Sequence, residues 1–276
     1  MVANDVSEER LKKMSEQHFV FVHGACHGGW CWYKVANSLR ESGHKATCID
    51  LKGAGINQTD PNTVSSLDDY DQPLNDFLSQ LPVDEKVILV SHSVGGGSMT
   101  ASMCLFPSKV SMAVYVAAAM VKPGTEVPPE LKEVLKVCSG LIEEQAEKLW
   151  DFTFGNGTQN FPTSMIMKPE CVRDKFYNES PMEDYTLATT LLRPAPAMAF
   201  AGIISIPEAP ETDKIPRVYM KTGKDHLFKS FLQDLMVGLW PPAQHFLLPD
   251  SDHSAFFSQP QLLHQYLLEA ASSLSS

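Results

Sequence analysis

From residue 18 onward, short apolar runs alternate with amphipathic stretches. Residues 18–22, 45–51, 86–90 and 110–119 are compact runs with buried-strand character, and the third, KVILV, is continuous and β-branched as a strand covered on both faces should be. Between them, residues 30–42 and 67–81 repeat their apolar positions at helical spacing, and a helix from residue 95 to about 105 follows the third run. Strands alternating with helices predict an α/β fold, a doubly wound and mostly parallel sheet. The rhythm changes over residues 122–207. There Leu131, Val134, Leu135, Cys138, Leu141 and Ile142 recur at helical spacing, followed by Trp150, Phe152, Phe154 and Phe161 and later by Leu187, Leu191 and Leu192. These positions predict a helical cap, with most of the aromatics forming its own core. The strand and helix alternation resumes with residues 217–222 and 244–248, and a final helix carries Leu263, Tyr266, Leu267 and Ala270 on one face. The expected organisation is a flexible extension at 1–17, a core of 18–121 and 208–276, and a cap insertion at 122–207.

Chemistry enters where strands meet loops. Val90-Ser91-His92-Ser93-Val94-Gly95-Gly96 puts Ser93 at a sharp strand-to-helix turn, close to the G-x-S-x-G form that exposes a nucleophilic hydroxyl above a sheet, with Ser91 at the first glycine position. Taken alone, the run is equally compatible with an ordinary glycine-containing turn. Residues 23–30, HGACHGGW, follow the first strand, and the Ala25 and Val94 N–H groups are the expected oxyanion donors. The same loop lacks the spacing of dinucleotide-binding and P-loop motifs. His253, in the polar loop after the last strand, is the candidate base because it follows Ser93 in the chain order that this chemistry uses on such a sheet. Asp225, after the strand at 217–222, is the expected carboxylate that orients His253; Asp250 and Asp252 share the histidine's own loop and rank second.

Composition narrows the remaining classes. The 276 residues are 43% hydrophobic, enough to fill one large domain. A formal charge of −11 argues against nucleic acid and against an anionic membrane surface. No N-terminal apolar run reads as a signal peptide or a membrane span, so the expected location is cytoplasmic. The six cysteines lack C-x-x-C or zinc spacing, and there is no H-E-x-x-H; no metal and no organic cofactor is expected. Whether the chain is a monomer or a homodimer is not legible.

The segments HFVFVHGACHGGWCWYKV, SHSVGGGS, LLRPAPAMAF, RVYMKTGKDHLF and DSDHSAFF together resemble the plant methylesterase and hydroxynitrile lyase family of α/β-hydrolases, across nearly everything after Gln17. The cap segment SPMEDYTLATTLLRPAP and WPPAQHFLLPDSDHSAFFSQP look closest to the branch of pheophorbidase and the chlorophyll-catabolite methylesterases. The resemblance implies an α/β-hydrolase fold with Ser93, Asp225 and His253 as triad, Ala25 and Val94 as oxyanion hole, and His92 with Ala25 against the substrate. It implies hydrolysis of a small-molecule methyl ester through an acyl-enzyme. A β-keto methyl ester such as pheophorbide or a specialised metabolite stands first, with decarboxylation following, and a hormone ester of indole-acetate, salicylate or jasmonate stands second. Hydroxynitrile lyases of the family carry threonine in the oxyanion loop and lysine beside the histidine, where this chain has Ala25 and Ser254, which disfavours the lyase reading. A ligand-binding receptor with little turnover is the remaining alternative, disfavoured by the complete triad.

Overall fold

The computed structural model describes residues 15–129, 132 and 146–275. The apolar pattern from Leu131 to Ile142 and the extension through residue 14 lie outside the described residues. The elements run β1 (His18–Val22), α1 (Tyr33–Glu41), β2 (Lys45–Ile49), α2 (Leu67–Gln80), β3 (Val87–His92), α3 (Gly95–Leu105) and β4 (Val110–Val116). An excursion follows through β5 (Trp150–Thr153), β6 (Ser164–Met167), α4 (Pro169–Phe176), α5 (Met182–Leu191), β7 (Ala195–Pro196) and α6 (Ala197–Ala201). The chain then returns through β8 (Arg217–Thr222), α7 (Ser230–Leu239), β9 (Gln244–Leu248), α8 (Ala255–Ser258) and α9 (Pro260–Ser272).

Six strands form one sheet in the order β2-β1-β3-β4-β8-β9, and every neighbouring pair is parallel. Parallel strands joined by helices are covered on both faces, which is why β3 is buried along its whole length. The strand order reverses between β1 and β3: the chain leaves β1 toward one edge and returns from β3 toward the other. Loops leaving the C-terminal ends of strands on either side of such a reversal diverge and open a crevice, the usual site for a ligand in an open α/β sheet. The segment after β1, residues 23–28, and the turn after β3, residues 93–94, are those loops.

The excursion differs from the expected helical cap. β5, β6 and β7 form a second, antiparallel sheet of three strands beside the helices. Trp150 is buried, Phe152 and Phe154 are half-buried, and Asp151 and Thr153 between them are exposed, a two-residue period that belongs to a strand. Phe161 is 63% exposed and takes no part in a cap core. In α5 the inward face carries Asp184 and Ala188 while Leu187 and Leu191 point outward. Tertiary partners explain the inversion: Asp184 accepts the Tyr33 hydroxyl at 3.0 Å and pairs with Lys34, both on α1.

Where α2 packs on α3, Asp71 is 1% exposed and neither carboxyl oxygen has a hydrogen-bond partner among the described residues. Burial pushes this carboxyl up to about 8, and the nearby Ser98 hydroxyl offsets only part of that shift. A carboxyl whose folded pKa lies above its unfolded value keeps its proton in the folded state and loses it in the unfolded one. Its contribution is therefore full below about pH 4 and falls as pH rises toward 8. Asp71→Asn removes the ionisation, so its melting temperature should exceed the wild type's by a margin that grows between pH 5 and pH 8 and then levels off. A margin independent of pH in a thermal melt series would contradict the burial argument.

Candidate active site

Ser93 sits between β3 and α3 at φ 55°, in the left-handed region that a residue with a Cβ enters only under constraint. The constraint is close packing. The Ser93 carbonyl accepts the Ala119 N–H at 2.8 Å and the Gly96 N–H at 3.1 Å, tying the turn to the end of β4 and to its own helix. The start of α3 is pressed so near the β1 loop that a Cβ on Gly95 would lie 2.3 Å from the His23 carbonyl oxygen, and one on Gly96 would lie 2.4 Å from that of Ala119. Glycine is a poor helix former, and here its missing side chain is what permits the approach. Ser91, at the position where the motif has glycine, is fully buried and its hydroxyl points to the Val114 carbonyl at 3.4 Å, so the extra atoms lie within the sheet and away from the crevice.

The loop after β9 brings His253 to the loop after β8. His253 Nδ1–H donates to Asp225 Oδ2 at 2.8 Å, and both side chains are completely buried. Asp225 also accepts the Thr222 hydroxyl at 3.0 Å and the Leu227 and Phe228 N–H groups at 2.8 and 2.6 Å. Burial raises the Asp225 carboxyl, but attraction to His253 and the bonds it accepts outweigh that effect and hold it below the usual carboxylate value. With Nδ1 committed, His253 Nε2 is the nitrogen left to face the crevice, and it is buried with no partner among the described residues. The Phe176 ring of the cap stacks on the His253 ring at 5.9 Å, and Phe228 approaches at 6.2 Å, so water is kept from it on those sides.

Three further histidines surround this group, and each grips a backbone carbonyl. His23 accepts the Leu51 N–H on Nε2 at 3.1 Å, so its proton is on Nδ1, which donates to the Gly24 carbonyl at 2.8 Å. His27 Nδ1–H donates to the Ala25 carbonyl at 2.7 Å. His92 Nε2–H donates to the His253 carbonyl at 2.7 Å. Desolvation lowers all three below the ordinary histidine value, His27 to about 3, so they hold these positions as neutral imidazoles. His92, expected against the substrate, is fully buried with its ring 4.5 Å from that of His253.

Val94 follows Ser93, and Ala25 follows Gly24, where a Cβ would lie 2.8 Å from the Ser93 Cβ; among the described residues neither the Ala25 nor the Val94 N–H has a backbone acceptor. Both residues are nearly buried, at 7% and 3% exposure. Asp252 does not reach His253. It accepts the Glu179 and Ser180 N–H groups at 2.9 and 2.7 Å, the Ser180 hydroxyl at 2.7 Å and the Ser254 N–H at 2.9 Å, joining the cap to the histidine loop. Asp250 is exposed and pairs with Lys224. No sequence signal marks Asp252 as a cap anchor, since its cap partners Glu179 and Ser180 lie more than seventy positions away.

A model of the alpha/beta hydrolase family matches residues 19–265. The chain is 82% identical to Methylesterase 18 of Arabidopsis thaliana over 262 residues, covering 95% of this chain and all of that one. It is 52% identical to the pFDCC methylesterase MES16 of Arabidopsis thaliana, covering 93% of this chain and 95% of that one. The crystal structure of MES16 superposes with a TM-score of 0.83 at 50% identity, covering 93% and 99% of the two chains. Pheophorbidase of Raphanus sativus is 49% identical over 93% of this chain and 95% of its own. Fold and relatives define a serine carboxylic ester hydrolase. The chain belongs to the plant methylesterase family of α/β-hydrolases.

The packing at α3 makes one direct demand. Gly95→Ala should lower stability by about 3 kcal/mol, at the upper end for overpacking, because the new Cβ meets backbone and not a flexible side chain. A denaturant midpoint within error of the wild type would contradict the close approach of α3 to the β1 loop.

Proposed function

We propose that Ser93 attacks the carbonyl of a methyl ester, with His253 as base, Asp225 as the group that orients it, and the Ala25 and Val94 N–H groups as donors to the oxyanion. The observation that carries this reading is the buried Asp225–His253 bond, taken with a serine held in the left-handed turn after β3. Asp225 keeps the proton on His253 Nδ1, leaving Nε2 free to take the Ser93 proton and later return it to the methanol leaving group. Attack converts the ester carbonyl to an oxyanion, and backbone donors fixed in advance stabilise that charge without reorganising; each is worth roughly 3 kcal/mol of barrier. Methanol departs, leaving an acyl-Ser93 ester that water hydrolyses by the same route. No step requires a metal or an organic cofactor. The reaction is that of a cytoplasmic enzyme acting on a small molecule.

For the acid half, a methyl ester beside a ketone stands first. Two relatives at about half identity are named for pFDCC and pheophorbide substrates. The acid released from a β-keto ester loses CO₂ without further help, since the ketone accepts the electrons of the breaking bond, so hydrolysis alone suffices. A second reading is favoured by enclosure: Ser93 is 7% exposed and His253 0% exposed, a setting that suits a small aryl or indole methyl ester.

Ser93→Ala should abolish methyl-ester hydrolysis while the protein still binds the product acid. Asp225→Asn should lower kcat roughly 10⁴-fold, whereas Asp250→Asn leaves it nearly unchanged. Substantial turnover by Ser93→Ala, or equal losses at Asp225 and Asp250, would overturn the assignment. The substrate order is decided by kcat/KM for a β-keto methyl ester and methyl indole-acetate in competition, with CO₂ release followed. Preference for the indole ester reverses the order and leaves the mechanism standing.

A further inference from the structure

The loop that carries Asp225 leaves β8 at Thr222 and passes Phe228 on its way to α7, and one side chain joins those two residues. Gln233, on α7, is fully buried. Its Oε1 accepts the Thr222 N–H at 3.0 Å, while its Nε2 donates to the Thr222 carbonyl at 3.1 Å and to the Phe228 carbonyl at 2.6 Å. A backbone N–H only donates and a carbonyl only accepts, so these partners settle which end of the amide faces which. Thr222 is buried too, and no solvent competes for the bonds.

The same amide nitrogen donates to the Thr222 hydroxyl oxygen at 3.1 Å, and that hydroxyl lies 3.0 Å from Asp225 Oδ2. A hydroxyl has a single proton to give. With an N–H on its oxygen and a carboxylate beyond, the proton goes to Asp225. Oδ2 also takes the His253 Nδ1–H, and Oδ1 takes the Leu227 and Phe228 N–H groups, so four donors fill the lone-pair sites of the carboxylate. Only one of the two donors on Oδ2 belongs to the base. The other, the Thr222 hydroxyl, is anchored to the sheet end and to α7.

We propose that Thr222 and Gln233 are positioning residues for ester hydrolysis: Gln233 holds the Thr222 hydroxyl by its oxygen, and the hydroxyl holds Asp225 Oδ2 against His253 Nδ1. The inference rests on the reading of Asp225 as the group that orients the base. It extends the buried chain behind His253 by two side chains that touch neither substrate nor Ser93. Without the hydroxyl, Oδ2 keeps no donor except the histidine it orients, and the place of that pair is no longer set from β8.

The test compares Thr222→Val, which keeps the shape and removes the hydroxyl, with Thr222→Ser, which keeps the hydroxyl and removes a methyl group. Since losing the orienting carboxylate costs about 10⁴-fold in kcat, loosening it should cost less: about tenfold in Thr222→Val and about 30-fold in Gln233→Met, with KM changed far less. Thr222→Ser should recover most of the loss seen in Thr222→Val. Packing alone predicts the reverse order, because valine fills the space of threonine and serine leaves a void. Adding Thr222→Val to Asp225→Asn should cost nothing further, since the hydroxyl acts only through the carboxylate. Should Gln233→Met fail to fold in a thermal melt, the Thr222 pair decides alone. Unchanged kcat in Thr222→Val, a valine variant faster than the serine variant, or full additivity with Asp225→Asn would overturn the proposal. Asp225→Asn by itself separates the two readings. If it is severely impaired while Thr222→Val is silent, only the positioning proposal fails; if it turns over normally, the reading of Asp225 fails and the proposal with it.

Discussion

The site depends on the crossing from β3 to α3, where Ser93 is held in a left-handed backbone conformation. A single residue does not stay there unaided, since the conformation costs of order 1–3 kcal/mol. The surrounding structure meets that cost by fixing both ends of the turn. β3 is paired on both sides within the sheet, and α3 is locked against the His23 and Ala119 carbonyls by glycines that leave no gap. The reversal of strand order then supplies the crevice into which Ser93 opens. Sheet topology, helix packing and backbone strain are therefore parts of one constraint.

Around it, the polar groups are satisfied in a way that leaves little freedom. Three buried histidines are kept neutral by desolvation, and each donates to a carbonyl of the β1 loop or of the histidine loop. Were they charged, they would oppose any positive charge developing on His253; as neutral donors they orient backbone at no such electrostatic cost. The cap is tied down by comparable means. Asp252, Asp184 and Arg193 each join it to the core, and Arg193 also donates to the Gly55 and Asn57 carbonyls at 2.7 Å. Cap and core are thus held together by directional bonds close to the site, as well as by apolar packing.

Much of this was legible in the sequence, for identifiable reasons. Strands buried on both faces read as unbroken apolar runs, so β1 and β3 stood out, and the loops after them were found by position. Asp225 ranks above Asp250 and Asp252 in the sequence because a carboxylate on a neighbouring strand's loop reaches the far imidazole nitrogen, and Asp225 Oδ2 lies 2.8 Å from His253 Nδ1. What escaped depends on partners distant in the chain. β5 is only four residues long, too short for its two-residue period to outweigh an expectation of helices. The outward leucines of α5 reflect Lys34 and Tyr33, some 150 positions earlier. The bond from His92 to the His253 carbonyl joins residues 161 positions apart, which its place beside Ser93 conceals.

If ester cleavage proceeds through a covalent bond to Ser93, rapid-quench mass spectrometry of the intact protein with a slowly deacylating methyl ester will capture that bond. The expected result is a burst of methanol stoichiometric with enzyme and an acyl adduct that maps to the peptide containing Ser93. Methanol and acid released in step, with no adduct at any time, or an adduct mapped to another residue, would contradict it.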